Sequence, residues 1–81
     1  MAKLQTLSGK DLLRIFLGFD FRQVSQKGSH IKLRRTLPTN VHQILTIVHH
    51  AELDRGTLHA IYRQALRFIP ESELRPHFYS Q

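Results

Sequence analysis

Apolar side chains recur at helical spacing early in the chain, at Leu12, Leu13, Ile15 and Phe16, in a stripe broad enough to pack on a sheet. Ser8 stands where an N-cap belongs, and Asp11 lies three residues on as the acid of a short capping box. Leu7 and Leu12 are spaced for a hydrophobic staple, and Gly18 suits a left-handed C-cap. These signals predict a helix over residues 9–17.

After Phe19 the rhythm changes. Phe21 and Val24, set among Arg22, Gln23, Ser25 and Gln26, read as a strand of imperfect alternation. Lys27-Gly28 follows, where glycine can take the positive φ of a tight hairpin. His30-Ile31-Lys32-Leu33-Arg34-Arg35 then alternates polar and apolar with period two, the mark of a half-buried strand. Leu37-Pro38-Thr39-Asn40 has turn chemistry, and the β-branched run Ile44-Leu45-Thr46-Ile47-Val48 reads as a more buried strand. A polar connection from Ala51 to Gly56 leads to a helix start at Thr57. Leu58, Ile61, Ala65 and Leu66 share one face of the helix predicted over residues 58–67. Pro70 opens a short last helical turn through Leu74, and Pro76 is expected to disrupt any longer helix.

The order is αβββα. It predicts an α+β fold in one domain over residues 1–81, a three-stranded antiparallel sheet with helices on one face. Period two on the middle strand has a consequence for function. If Ile31 and Leu33 pack under the helices, then His30, Lys32 and Arg34 project from the open face.

Composition sharpens this. The chain has 81 residues, 41% of them hydrophobic, which is enough for a core and too much for a disordered basic tail. A domain this small buries only about 60% of its unfolded surface, so its stability is modest. Twelve Lys and Arg against six Asp and Glu leave a net charge of +6, which favours polyanionic partners, most simply nucleic acid. No apolar run is long enough to span a bilayer and no secretory h-region opens the chain, so a cytoplasmic domain is expected.

The chemistry narrows by elimination. Without cysteine there is no thiol nucleophile and no cysteine-based metal site. The six histidines show no pair spaced i, i+4 on a helix or i, i+2 on a strand, so no metal and no cofactor are expected. The six acids are scattered, which supports two-metal phosphoryl chemistry poorly. Ser29 and His30 are sequence neighbours on a strand, face opposite ways and make no dyad. Acid–base work by histidine remains. RNA carries its own nucleophile, the 2′-hydroxyl, so a proton-transfer group and cations for the phosphate are sufficient. His30 with Lys27, Lys32 and Arg34 meets that description; the plain alternative is that His30 is only an exposed strand residue.

The segments Ser8-Gly9-Lys10-Asp11-Leu12, Gly18-Phe19, Arg22-Gln23, Lys27-Gly28-Ser29-His30 and Gly56-Thr57-Leu58, with Ile61 and Arg63-Gln64-Ala65, give a family likeness. In order and spacing they resemble the HicA (YcfA-like) mRNA interferase toxins, over about residues 4–74. The resemblance implies a fold similar to double-stranded-RNA-binding domains. It further implies a toxin of a type II toxin–antitoxin pair that cleaves mRNA without a metal and arrests translation and growth. The catalytic residue so implied is His30, with Gly28 shaping its turn and Ser29 beside it. The partner implied is a HicB-like antitoxin that covers the catalytic histidine. One departure stands out: a P-x-H pattern usual near the end of the third strand is here Val48-His49-His50. His50 is then either a second proton-transfer group or a structural strand-end residue. Arg63, Arg67 and Arg75 fall on the helical side, as surface charges or antitoxin contacts. A non-catalytic double-stranded-RNA-binding module on the same fold is the competing reading, and a catalytically lapsed toxin is a third.

Overall fold

The computed structural model describes residues 2–80. Its first long element, helix α1 (Gly9–Gly18), forms where the capping signals place it. The Ser8 hydroxyl accepts the Asp11 N–H at 3.0 Å, and the Asp11 carboxylate accepts the Ser8 N–H at 2.9 Å. That bond from the Ser8 backbone, helped by the Ser8 hydroxyl, holds the Asp11 carboxyl below its ordinary pKa. Leu7 and Leu12, the expected staple, are both buried in the core. Gly18 does not serve as a left-handed cap. The left-handed residue is Asp20, at φ 71°, because the helix continues through Gly18 and closes on Phe16 and Leu17 carbonyls before the chain reverses. Aspartate tolerates that conformation.

Strands β2 (Arg22–Lys27), β3 (His30–Thr36) and β4 (His42–Val48) form one antiparallel sheet in the order β2-β3-β4. Gly28 takes φ 60° and Ser29 stays at negative φ, as a two-residue type II′ hairpin requires. The β3–β4 register is unbroken from His30↔Val48 to Thr36↔His42. The β2–β3 register slips by one residue between Gln23 and Ser25, so Val24 is a β-bulge. This bulge is the physical cause of the imperfect alternation in that segment. No side chain of β2 is buried, which makes it an exposed edge.

The core lies between one sheet face and the helices. Ile31 and Leu33 of β3 and Leu45 and Ile47 of β4 meet Leu12 and Phe16 of α1. Helix α2 (Arg55–Ala65) adds Leu58, Ile61, Tyr62 and Ala65. It begins before the expected Thr57, because Asp54 is the N-cap: its carboxylate accepts the Thr57 N–H at 3.1 Å and hydroxyl at 2.6 Å. The Thr57 hydroxyl, then its N–H, lowers the Asp54 pKa.

Past Pro70 the structure departs further from expectation. Instead of a single turn, helix α3 (Glu71–Phe78) runs through Pro76. Proline there withholds one N–H from the Ser72 carbonyl, and Ser72 is exposed to water. In exchange Leu74 and Phe78 are fully buried, with the Phe78 ring 5.1 Å from Tyr62 and 6.2 Å from Phe16. Burial outweighs the local penalty. A two-stranded antiparallel clasp, β1 (Lys3–Leu4) with β5 (Tyr79–Ser80), draws the chain ends together; strands of two residues leave no periodic signal in sequence.

Candidate nucleic-acid interface

Alternation on β3 sorts its side chains as the sequence predicts: Ile31 and Leu33 are 2% and 0% exposed, while His30, Lys32 and Arg34 lie open. The register then assembles three rows that span all three strands of the open face, and a fourth, Thr36 with His42, that spans β3 and β4 alone. Lys27, His30 and Val48 form the first, Ser25, Lys32 and Thr46 the second, and Arg22, Arg34 and Ile44 the third. Directly opposed residues share a face. The bulge at Val24 decides the composition of this surface. Continued without it from Arg22↔Arg34, the pairing would set Val24 against Lys32 and Gln26 against His30; with it, Ser25 and Lys27 take those places.

His30 therefore stands beside Lys27, one row from Lys32 and two from Arg34. The turn residues of the Lys27-Gly28-Ser29-His30 segment are tied to the rest of the sheet, since the Ser29 carbonyl accepts the His49 N–H at 2.7 Å. Gln64 of α2 fixes the opposite margin, donating to the Thr46 carbonyl at 3.1 Å and accepting the Thr46 N–H at 3.0 Å. One amide thus occupies the free edge of β4 and anchors Thr46. A depression of about 220 Å³ opens among Ser25, Lys27, His30, Ile31, Lys32 and Thr46.

Charge on this face is uncompensated. Among the described residues both ion pairs lie on helices, Arg14 with Asp11 and Arg75 with Glu71. Nor do three His, Asp or Glu side chains gather into a metal-holding group among them. His50 falls outside the residues that line the depression beside His30. It follows the end of β4, its carbonyl accepts the Gly9 N–H at 2.8 Å, and with Ser8, Lys10, His49 and Ala51 it lines a separate cavity. Of the arginines expected on the helical side, Arg67 lies past the end of α2, which stops at Ala65 rather than at residue 67, and stacks over Phe68; Arg75 stacks over Tyr79, and Arg63 is exposed.

Sequence reasoning named Ser25, Thr46, Gln64 and Arg22 but gave them no role in the site. The phase of β2 beyond its bulge and the pairing of β4 with β3 are non-local, so no window of sequence carried them. Gln64 had one signal, a polar residue beside buried Ala65, and its use emerges only with the edge it meets.

This is an α+β domain whose open sheet face carries the imidazoles of His30 and His42, the cations Arg22, Lys27, Lys32 and Arg34, and no acid. Its family is shown directly: the profile of the HicA toxin of bacterial toxin–antitoxin systems matches residues 9–66, from the start of α1 to just beyond α2. The chain belongs to the HicA toxin family. No curated protein and no solved structure matches it. No helix among the described residues is long and apolar enough to cross a membrane.

Proposed function

We propose that this toxin is a metal-independent endoribonuclease that cleaves mRNA in the cytoplasm, with His30 as its proton-transfer group. The observation that carries the reading is the placement of His30, paired to Lys27 and beside Lys32 on a face without acids. The 2′-oxygen of RNA attacks the adjacent phosphorus, the bond to the 5′-oxygen breaks, and a 2′,3′-cyclic phosphate forms. The proton leaves the 2′-hydroxyl and one is delivered to the departing 5′-oxygen; His30 serves one of these transfers. Lys27, Lys32 and Arg34 stabilise the charge that grows on the non-bridging oxygens. Gly28 and Ser29 supply the tight turn that fixes Lys27 and His30 opposite each other. A HicB-like antitoxin that covers this face would silence it, consistent with the toxin–antitoxin family.

The fold, which the family resemblance likens to double-stranded-RNA-binding domains, suits binding without chemistry as well, and one substitution separates the readings. Purified His30→Ala is expected to fold and bind RNA while losing cleavage by about 100-fold or more. Cleavage by the unaltered protein is expected to persist in excess EDTA, and its expression to arrest growth unless antitoxin is present. Undiminished cleavage by the His30→Ala protein defeats the nuclease assignment to this site.

A further inference from the structure

The row next to His30 is built of hydroxyls around a cation. Ser25, Lys32 and Thr46 lie in register across all three strands, and the depression beside them has His30 and Lys27 on one side. Ile31 points its side chain into the core and is only 2% exposed, so its main chain forms the floor. Ser25 and Thr46 stand on opposite walls, two strand spacings or roughly 10 Å apart. Two features fix them there. The Val24 bulge turns Ser25 onto this face in place of an apolar side chain, and the paired bonds from Gln64 hold the Thr46 backbone.

From this arrangement we propose that the depression is a base-reading niche, in which the Ser25 and Thr46 hydroxyls select one nucleobase next to the scissile phosphate. The inference rests on the nuclease reading for the phosphate's position at Lys27, His30 and Lys32, and adds a determinant of cleavage-site preference. A single-stranded base unstacked over the flat floor presents its edge to the walls, which is how proteins read RNA sequence. A hydroxyl both donates and accepts, so each wall can match either kind of edge group. Lys32, between them, contributes charge to the backbone rather than selectivity.

The test compares the protein with Ser25→Ala, Thr46→Val and the double variant, each also made in a His30→Ala background. Cut positions in a random-sequence RNA pool are mapped for the first series. For the second, the sequences retained from that pool by the uncleaving proteins are read. Preference at one nucleotide position is expected to relax by about 3- to 10-fold per hydroxyl removed, the worth of one net hydrogen bond. Preference at the other positions should be unchanged. If the unaltered protein cuts nothing, the nuclease reading fails, while relaxation in the retained pool still supports the niche. An unchanged preference in both series overturns it, as does a uniform loss of binding without any change in sequence preference.

Discussion

At the scale of single residues, Arg35 contributes most beyond the site. Its position is in phase with Ile31 and Leu33, so it points toward the helices, and it is only partly exposed. The guanidinium donates to the Gln43 amide oxygen at 2.8 Å, the Phe19 carbonyl at 3.1 Å and the Phe68 carbonyl at 2.9 Å. Its carbon also sits 4.8 Å from the centroid of the Phe21 ring. One side chain thus joins the turn after α1, strand β4 and the loop after α2. Only the planar fork reaches all three acceptors, so lysine is no substitute. Arg35→Ala and Arg35→Lys are each expected to cost about 2–3 kcal/mol of stability, as charged hydrogen bonds to part-buried carbonyls do. Urea denaturation measures this, and a loss under about 0.5 kcal/mol would mean that water replaces the fork at no cost. The sequence held a clue here: an arginine in the apolar phase of an alternating strand needs acceptors on the buried side.

Elements differ in how much of them was legible. Helix α1, the body of β3 and the hairpin at Gly28 followed from local signals, namely a capping box, period two and a residue that admits positive φ. The catalytic candidate was legible for the same reason, since His30, Lys32 and Arg34 are separated only by the strand repeat. The bulge in β2, the run of α3 through Pro76 and the β1–β5 clasp were not, because each depends on partners far along the chain. Gly9 shows how such a partner overrules propensity. A Cβ there would lie 2.4 Å from the Val48 carbonyl oxygen and 2.5 Å from the His49 Cα, both backbone atoms that cannot rotate away. At Gly18 a Cβ meets nothing within 4 Å and the backbone is not left-handed. Helix propensity alone favours alanine over glycine at either site by about 1 kcal/mol. The expected signs are opposite. Gly18→Ala should be neutral or stabilising, whereas Gly9→Ala should lose about 1–3 kcal/mol as α1 is pushed from β4. Equal effects of the two in a denaturant titration would refute the close approach.

For the molecule as a whole, the net charge of +6 matters through its division between two faces. A sheet covered by helices on one side is thin, 17 Å along the shortest axis, yet that exceeds the screening length of about 8–10 Å at 0.1–0.15 M salt. Cations on the helical side therefore add little to the field felt by a strand of RNA on the open face. Lys32 and Arg34 lack carboxylate partners among the described residues, so each phosphate they neutralise releases a counterion. Replacing either with glutamine should reduce the slope of log affinity against log salt by about 0.7 for single-stranded RNA. Arg63→Gln and Arg67→Gln on the far side should leave the slope unchanged and shift affinity little. The titration is run in the His30→Ala background, which the proposed mechanism expects to leave the RNA uncut. Equal slopes lost from both sides would place the RNA around the molecule's edge rather than on the sheet. A slope that responds only to Lys32 and Arg34 instead sets the polyanion across the three rows, with the imidazole of His30 among the phosphates.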